Sequence, residues 1–194
     1  MSQEKKELII SKANALIQKS GYAAMGMREL AKAVGIEAPS LYNHLQSKEE
    51  ILNQTCFTLG RKLLIALEEV NDIYFDAEQK LRTAIRNHVE IITHDLSAAY
   101  VFIHEWKHLS EPSLSEFKQL RDKYEAGIRE IVEAGEKEGI FKETDLKFAT
   151  LSILSAVNWI IEWYKPEGTM TPIQIAEKIS DFILQGLTRD KRFN

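Results

Sequence analysis

The chain has 194 residues, 44% hydrophobic and 28% charged, with only 4 Pro and 9 Gly. That balance excludes a disordered or collagen-like chain, and the single cysteine, Cys56, excludes an intrachain disulfide and suits a reducing cytoplasm. The formal net charge of −4 argues at first against a polyanionic partner, but residues 1–48 hold seven Lys or Arg against four Glu, a surplus of +3 that leaves −7 on the rest.

Helical spacing dominates from the start. Residues near 4–19 place Leu8, Ile9, Ala13, Leu16 and Ile17 on one face, and Gly21 ends the run. A short segment from Arg28 to Val34 stops at Gly35, and a second begins near Ala38–Pro39, where proline suits a first helical turn. Ser47 with Glu50 forms a capping box that opens a long helix to about Val70. Asp76 caps a helix to about Thr93, and another spans about 97–108, up to the Glu111–Pro112 break. Ser113 with Glu116 reads as a second capping box, for a helix closing at Gly139; Asp145 caps the next, to about Tyr164; and Thr171–Pro172 opens the last, through Leu187. No four residues alternate strictly, so no sheet is expected. No apolar run approaches a membrane span of about 18 residues, and no basic stretch followed by an apolar one marks a secretory leader. The expectation is a cytoplasmic protein without membrane contact.

Residues 27–48 carry the functional signal: Met27-Arg-Glu-Leu-Ala-Lys-Ala-Val-Gly-Ile-Glu-Ala-Pro-Ser-Leu-Tyr-Asn-His-Leu-Gln-Ser-Lys48. Two short helices meet at Gly35. Leu30, Ala31, Val34 and Ile36 bury one side of the first, while Leu41 and Leu45, four apart, seat the second. The outer face of the second is small, polar and aromatic, and this suits close approach to a DNA groove. The stretch RELAKAVGIEAPSLYNHLQSKEEIL closely resembles the TetR family signature, REIA…G.S…LY.HF.SKEEL, over about 45 residues at fixed spacing. The resemblance implies that Arg28 reaches a base edge, with guanine favoured. It implies that Ala38, Pro39 and Ser40 lie against bases, and that Tyr42, Asn43, His44 and Lys48 hold phosphates. Three positions depart from the pattern: Met27 stands for the usual threonine, Glu37 for a small hydroxyl residue, and Leu45 for phenylalanine.

A competing motif is His104-Glu105-Trp106-Lys107-His108, a literal H-E-x-x-H. Histidines four apart on a helix share a face and can bind zinc, with the glutamate activating water. A peptidase also needs a third ligand and an edge strand, and no strand is expected. A zinc-dependent hydrolase is therefore the alternative reading, beside a helical adaptor that binds no DNA; the expectation is no enzyme, no metal and no cofactor.

The remaining helices read as a ligand-binding and dimerisation body. The segment Phe148–Tyr164 is apolar nearly all round and must be covered on both sides, and the final helix carries a stripe of apolar residues. By resemblance to the family, these last two helices form a four-helix bundle with their symmetry mates, so Leu151, Ser155, Ile175, Ile179, Phe182 and Ile183 are the expected dimer contacts. Candidate effector-pocket residues are His88, Ile92, Tyr100, Phe102, His104, Trp106, Tyr124, Asn158 and Trp159. The segments Glu105-Trp-Lys-His-Leu and Glu162–Pro172 are similar to a family branch that senses acyl-CoA thioesters. Cys56 and His94 are expected to serve packing alone. The expected fold is all-α with about nine helices: a three-helix helix-turn-helix head over 1–47 that binds double-stranded operator DNA, and a ligand-binding, dimerisation body over 48–194. A homodimeric repressor released by an amphipathic effector, an acyl-CoA or similar molecule, is the expected function.

Overall fold

The computed structural model describes residues 2–188. Ten α-helical segments follow one another: α1 (Ser2–Ser20), α2 (Met27–Val34), α3 (Ala38–Leu41), α4 (Lys48–Asp72), α5 (Ala77–His94), α6 (Leu96–Tyr100), α7 (Ser113–Lys137), α8 (Leu146–Asn158), α9 (Ile160–Trp163) and α10 (Pro172–Leu187). Only Trp159 separates α8 from α9, so among the described residues the chain forms nine rods. Extended pairing is limited there to one isolated antiparallel bridge, Phe141 with Thr188. The chain divides into two compact units, residues 1–61 with 95–119 and residues 62–94 with 120–194.

In the first unit, α1 packs on α2 and α6 through Ile9, Ile10, Ala13 and Ile17. Asn14, a polar side chain buried on α1, is satisfied by the Thr55 hydroxyl, which donates to its Oδ1 at 2.9 Å. Gly35 ends α2 in the left-handed region at φ 75°, a conformation that disfavours any side chain, and its N–H returns to Lys32. Leu30, Ala31, Leu41 and Leu45 are buried as expected, while Val34 and Ile36 are half-buried. The Ser47 cap of α4 is real but asymmetric: Ser47 Oγ accepts from Glu50 N at 3.2 Å, and Glu50 Oε2 reaches past it to Gln46 N at 2.6 Å. The centre of this unit is the ring of Phe117, with Phe57 and Phe102 edge-on at 5.6 Å and Trp106 at 6.0 Å.

Two expectations about helix continuity are corrected. The helix expected over 97–108 is α6, capped by Asp95, followed by a π-helical turn, Val101–Glu105, and a 3-10 turn, Trp106–His108. Similarly, α7 is not opened by a box at Ser113, which already lies inside the helix. Its first turn is closed by Glu111 Oε2, which accepts from Ser115 N at 3.2 Å.

The second unit is built around α5, whose buried stripe of Leu81, Ala84, Ile85, Val89 and Ile92 meets α8, α9 and α10. Asp76 and Gln79 cap α5 reciprocally, at 2.8 and 3.2 Å. A full box of Thr171 with Gln174 opens α10. At the end of α7, the ring of Phe141 lies directly on Gly135, so close that a Cβ there would overlap it. Gly135→Ala is therefore expected to destabilise the protein by about 1–3 kcal/mol, through overpacking. At roughly 2–4 °C per kcal/mol for a domain of this size, a thermal melt would show the loss; an unchanged midpoint would mean that Phe141 can swing away freely.

Candidate functional site

The head presents a compact set of exposed side chains. Arg28 stands out from α2, and Pro39, Tyr42 and Asn43 stand out from α3 and the turn after it. Ala38, Ser40 and His44 are half-buried beside them. The backbone explains the direction. After α3 the chain continues in tight turns, Tyr42 N to Pro39 O, Asn43 N to Ser40 O and His44 N to Leu41 O, which keep Leu41 and Leu45 inward and aim the intervening residues outward. Glu37 precedes α3 in extended conformation, exposed and making no capping bond with its carboxylate.

Lys48, expected on phosphate, is otherwise engaged in this structure. Its Nζ lies 4.5 Å above the ring of Tyr22 and donates to Ala23 O at 3.2 Å. Desolvation there draws the ammonium below its ordinary range, and the charge of Glu105 opposes the shift. Glu105 is buried, and His108 Nε2 sits 3.3 Å from its carboxylate, while the His108 ring stacks on Tyr22 at 5.4 Å. The next residue of α4, Glu49, accepts from Ser110 N at 2.7 Å. The H-E-x-x-H segment thus ties the start of α4 to the turn after α1. It is not laid out as a zinc motif. The winding loosens to a π turn through His104 and tightens to a 3-10 turn through His108, so the shared face of an α-helix is lost. His104 lies against Tyr100 at 4.7 Å instead. Among the described residues, no three His, Cys, Asp or Glu side chains gather to hold an ion. Neither Tyr22 nor Ser110 was marked by sequence, because their importance comes from contacts distant along the chain.

The candidate effector residues fall into two groups. Tyr100, Phe102, His104 and Trp106 lie in the first unit, where Phe102 and Trp106 pack on Phe117. His88, Ile92, Tyr124, Asn158 and Trp159 lie in the second. Surface grooves of about 350 and 380 Å³, beside α4, carry none of these residues. His94, expected in the packing, is exposed and lines the larger one, with Lys62 and Glu90; Cys56 is buried.

The dimer candidates divide sharply. Phe182 is 80% exposed and Leu151 43%, and Ser155 is exposed, while Ile179 and Ile183 are half-buried. Ile175 is 2% exposed and faces the protomer's own core, so it has no surface left to bury against a partner. Two aromatics missing from the expected set join this face: Phe148, 71% exposed, and Trp159, 66%. Residues 148, 151, 155 and 159 recur at three- and four-residue spacing along one side of α8, a signal present in the sequence but masked by the helix being apolar all round. Trp159 therefore belongs with the exposed face rather than with an enclosed pocket.

His88, Tyr124 and Asn158 do come together. The Tyr124 hydroxyl lies 2.8 Å from His88 Nδ1, and Asn158 Oδ1 lies 3.2 Å from Nε2. Burial pushes the imidazole from its ordinary value of 6.5 down to about 4, against the small pull of the Asn158 bond, so the ring is neutral near pH 7. Burial likewise raises the Tyr124 hydroxyl above its ordinary range. A neutral imidazole has one N–H. Since Asn158 Oδ1 can only accept, Nε2–H donates to it and Tyr124 O–H donates to Nδ1. The unfolded chain protonates this histidine near pH 6.5, and the folded chain resists until about pH 4. The stabilisation is thus complete above pH 6.5 and is lost as pH falls toward 4, by about 3 kcal/mol in all. His88→Asn is expected to flatten this part of the curve of melting temperature against pH. Parallel curves for wild type and variant across that interval would contradict it.

Comparison with known proteins matches this layout. The family model for the tetracyclin repressor-like C-terminal domain matches residues 75–187, and that for bacterial regulatory proteins of the tetR family matches residues 9–55. The HTH-type transcriptional repressor KstR2 of Rhodococcus jostii (strain RHA1) is 27% identical over 178 residues, covering 90% of this chain and 87% of that protein. The TetR family transcriptional regulator PfmR from Thermus thermophilus has a TM-score of 0.84 at 31% identity, covering 93% of this chain and 99% of PfmR. AibR, solved in complex with isovaleryl coenzyme A and operator DNA, has a TM-score of 0.81 at 26% identity over 92% of this chain and 97% of its own. The hydrolase alternative gives way to these matches: the chain belongs to the TetR family of bacterial regulatory proteins, ligand-responsive DNA-binding transcriptional regulators and not enzymes.

Proposed function

We propose that this protein is a cytoplasmic, homodimeric repressor that leaves a palindromic operator when an amphipathic effector binds its body. The observation that carries the reading is the exposed set Arg28, Pro39, Tyr42 and Asn43 on a head whose residues match the family's DNA-binding model. In this reading, residues 1–47 bind DNA and residues 48–194 bind effector and partner. Arg28 reads a base edge, Ala38, Pro39 and Ser40 fit against bases, and Tyr42, Asn43 and His44 hold phosphates. Lys48 joins them by exchanging the ring of Tyr22 for a phosphate.

The dimer forms through the apolar side of α8 and α10, by Phe148, Leu151, Ser155, Trp159, Ile179, Phe182 and Ile183. Large aromatics left this exposed on a single chain favour a partner surface over water. Two heads then meet half-sites about 34–36 Å apart. The effector reading is supported by the isovaleryl coenzyme A in the AibR complex, and by the apolar and aromatic candidate lining of the body. An effector that favours a different head spacing need contribute only about 1–3 kcal/mol of coupling to change operator occupancy strongly.

Selection of duplexes from a random pool by the purified protein tests the DNA reading. A palindrome is expected, bound with an affinity that falls steeply as salt rises. Arg28→Ala should relax preference at one position, by about 1–3 kcal/mol of discrimination, while Tyr42→Ala should weaken all sequences alike. Recovery of no duplex, or an unaltered preference in Arg28→Ala, would sink these assignments. For the dimer, Phe182→Lys should shift sedimentation from dimer to monomer, because pairing would bury an unmatched ammonium. A Phe182→Lys protein that still sediments as a dimer would place the interface elsewhere.

A further inference from the structure

Four side chains far apart in the sequence meet within the first unit: Tyr22 in the turn after α1, Lys48 at the start of α4, and Glu105 and His108 in the wound segment after α6. The ring of Tyr22 takes both bases, Lys48 Nζ at 4.5 Å and the His108 imidazole at 5.4 Å, with 29° between the two ring planes. Lys48 also donates to Ala23 O at 3.2 Å; desolvation disfavours its ammonium there, and the charge of Glu105 favours it. Glu105 is buried, whereas His108 is half exposed, with its Nε2 3.3 Å from the carboxylate. A carboxylate only accepts, so Nε2–H donates to Glu105 whether or not Nδ1 carries a second proton. With that second proton the hydrogen bond becomes an ion pair, and the stack on Tyr22 becomes a cation–π contact. His108 can thus draw from water the two things that Lys48 supplies, a positive charge for a buried anion and a cation on the Tyr22 ring.

Resting on the reading that Lys48 moves to a phosphate, we propose that operator binding carries a proton with it: as the Lys48 ammonium leaves Tyr22 and withdraws its charge from Glu105, His108 takes up a proton on Nδ1 and replaces it. A buried carboxylate left without an answering cation is costly, so the exchange runs more readily once His108 is charged. The surrounding groups favour the same sign. Glu49 on α4 accepts from Ser110 N at 2.7 Å, and burial with the charge of Glu49 holds the Tyr22 hydroxyl above its ordinary range, leaving a neutral ring. Glu111 accepts from Ser115 N at the start of α7. On the segment of His108 itself, His104 lies against Tyr100 and Lys107 over Trp106 at 5.9 Å. Once Lys48 has gone, these groups comprise three carboxylates, Glu49, Glu105 and Glu111, and one ammonium, Lys107. The bound head holds more protons than the free one, so affinity is greatest on the acid side of the histidine range and falls as pH rises through it.

The test is calorimetric titration of the full-length dimer with its selected operator at about pH 6.5, in buffers of different ionisation enthalpy, which counts the protons taken up. His44, read as a phosphate contact, can add a proton of its own, so the measure is the part of the uptake that His108→Gln removes. That variant keeps an amide N–H for Glu105 and should remove about half a proton per head. Lys48→Gln should remove the same part with His108 intact, because no ammonium then leaves, and should lower the slope of log affinity against log salt by about 1 per head. The two proton losses should not add in the double variant. Between about pH 6 and 7.5, affinity should fall roughly fivefold further in the wild type than in either variant. Circular dichroism controls the fold of each. An uptake unchanged by His108→Gln overturns the proposal, and so does a His108 share that survives Lys48→Gln, since His108 would then answer the DNA directly. If Lys48→Gln lowers the salt slope but leaves the proton count, the phosphate reading stands and the exchange alone falls. If it alters neither, Lys48 holds no phosphate and both fall.

Discussion

A helix of four residues cannot hold its shape by its own hydrogen bonds, so the direction of every side chain that α3 exposes depends on the burial of Leu41 and Leu45 beneath it. Each of these leucines is almost completely removed from water. Between and beside them, Ser40, Tyr42 and Asn43 have no freedom to turn inward, because the inner positions are filled. The left-handed Gly35 sets the angle at which the chain enters α3, and the Ser47–Glu50 cap sets the angle at which it leaves. A face suited to a DNA groove is thus a by-product of hydrophobic packing on its other side. The usual phenylalanine of the family is Leu45 here, and the site is still filled.

What was legible in the sequence was what is decided locally. Gly35, Asp145 and Thr171 mark helix ends through bonds to residues within a few positions, and each does so in the structure. The alternation of Leu41 and Leu45 with exposed neighbours is likewise a property of a short stretch. The break-up of 97–108 into α, π and 3-10 winding was not legible, because nothing in its composition distinguishes it from a regular helix. Its form goes with distant partners: Tyr22 stacks on His108, and Phe117 meets Phe102 and Trp106. That Ile175 faces inward and Phe148 outward was not legible for a related reason. When a helix is apolar on all sides, periodicity cannot say which side meets its own core.

Three histidines illustrate how completely environment decides the role of one residue type. His88 is stripped of water and holds the uncharged form, with the place of its one N–H set by two neutral neighbours. His108 is half exposed and divides itself between the ring of Tyr22 and the carboxylate of Glu105. His104, four residues earlier, keeps company with Tyr100. The H-E-x-x-H segment is wound as a π turn followed by a 3-10 turn rather than as the regular α-helix its spacing suggests. The charge of its glutamate, Glu105, acts on the ammonium of Lys48, at the start of α4.

The aromatic surface of α8 and α10 has a consequence for how such a protein behaves as its abundance changes. If protomers pair through Phe148, Trp159 and Phe182, the pairing constant links the amount of protein to the fraction able to occupy both halves of an operator. At scarce supply, doubling the number of chains then more than doubles the competent species, and the dose response is steeper than proportional. Dilution at cell division would open the regulated gene abruptly rather than gradually. A change as small as one methylene on that surface would retune this threshold without touching either the exposed residues of α2 and α3 or the buried histidine.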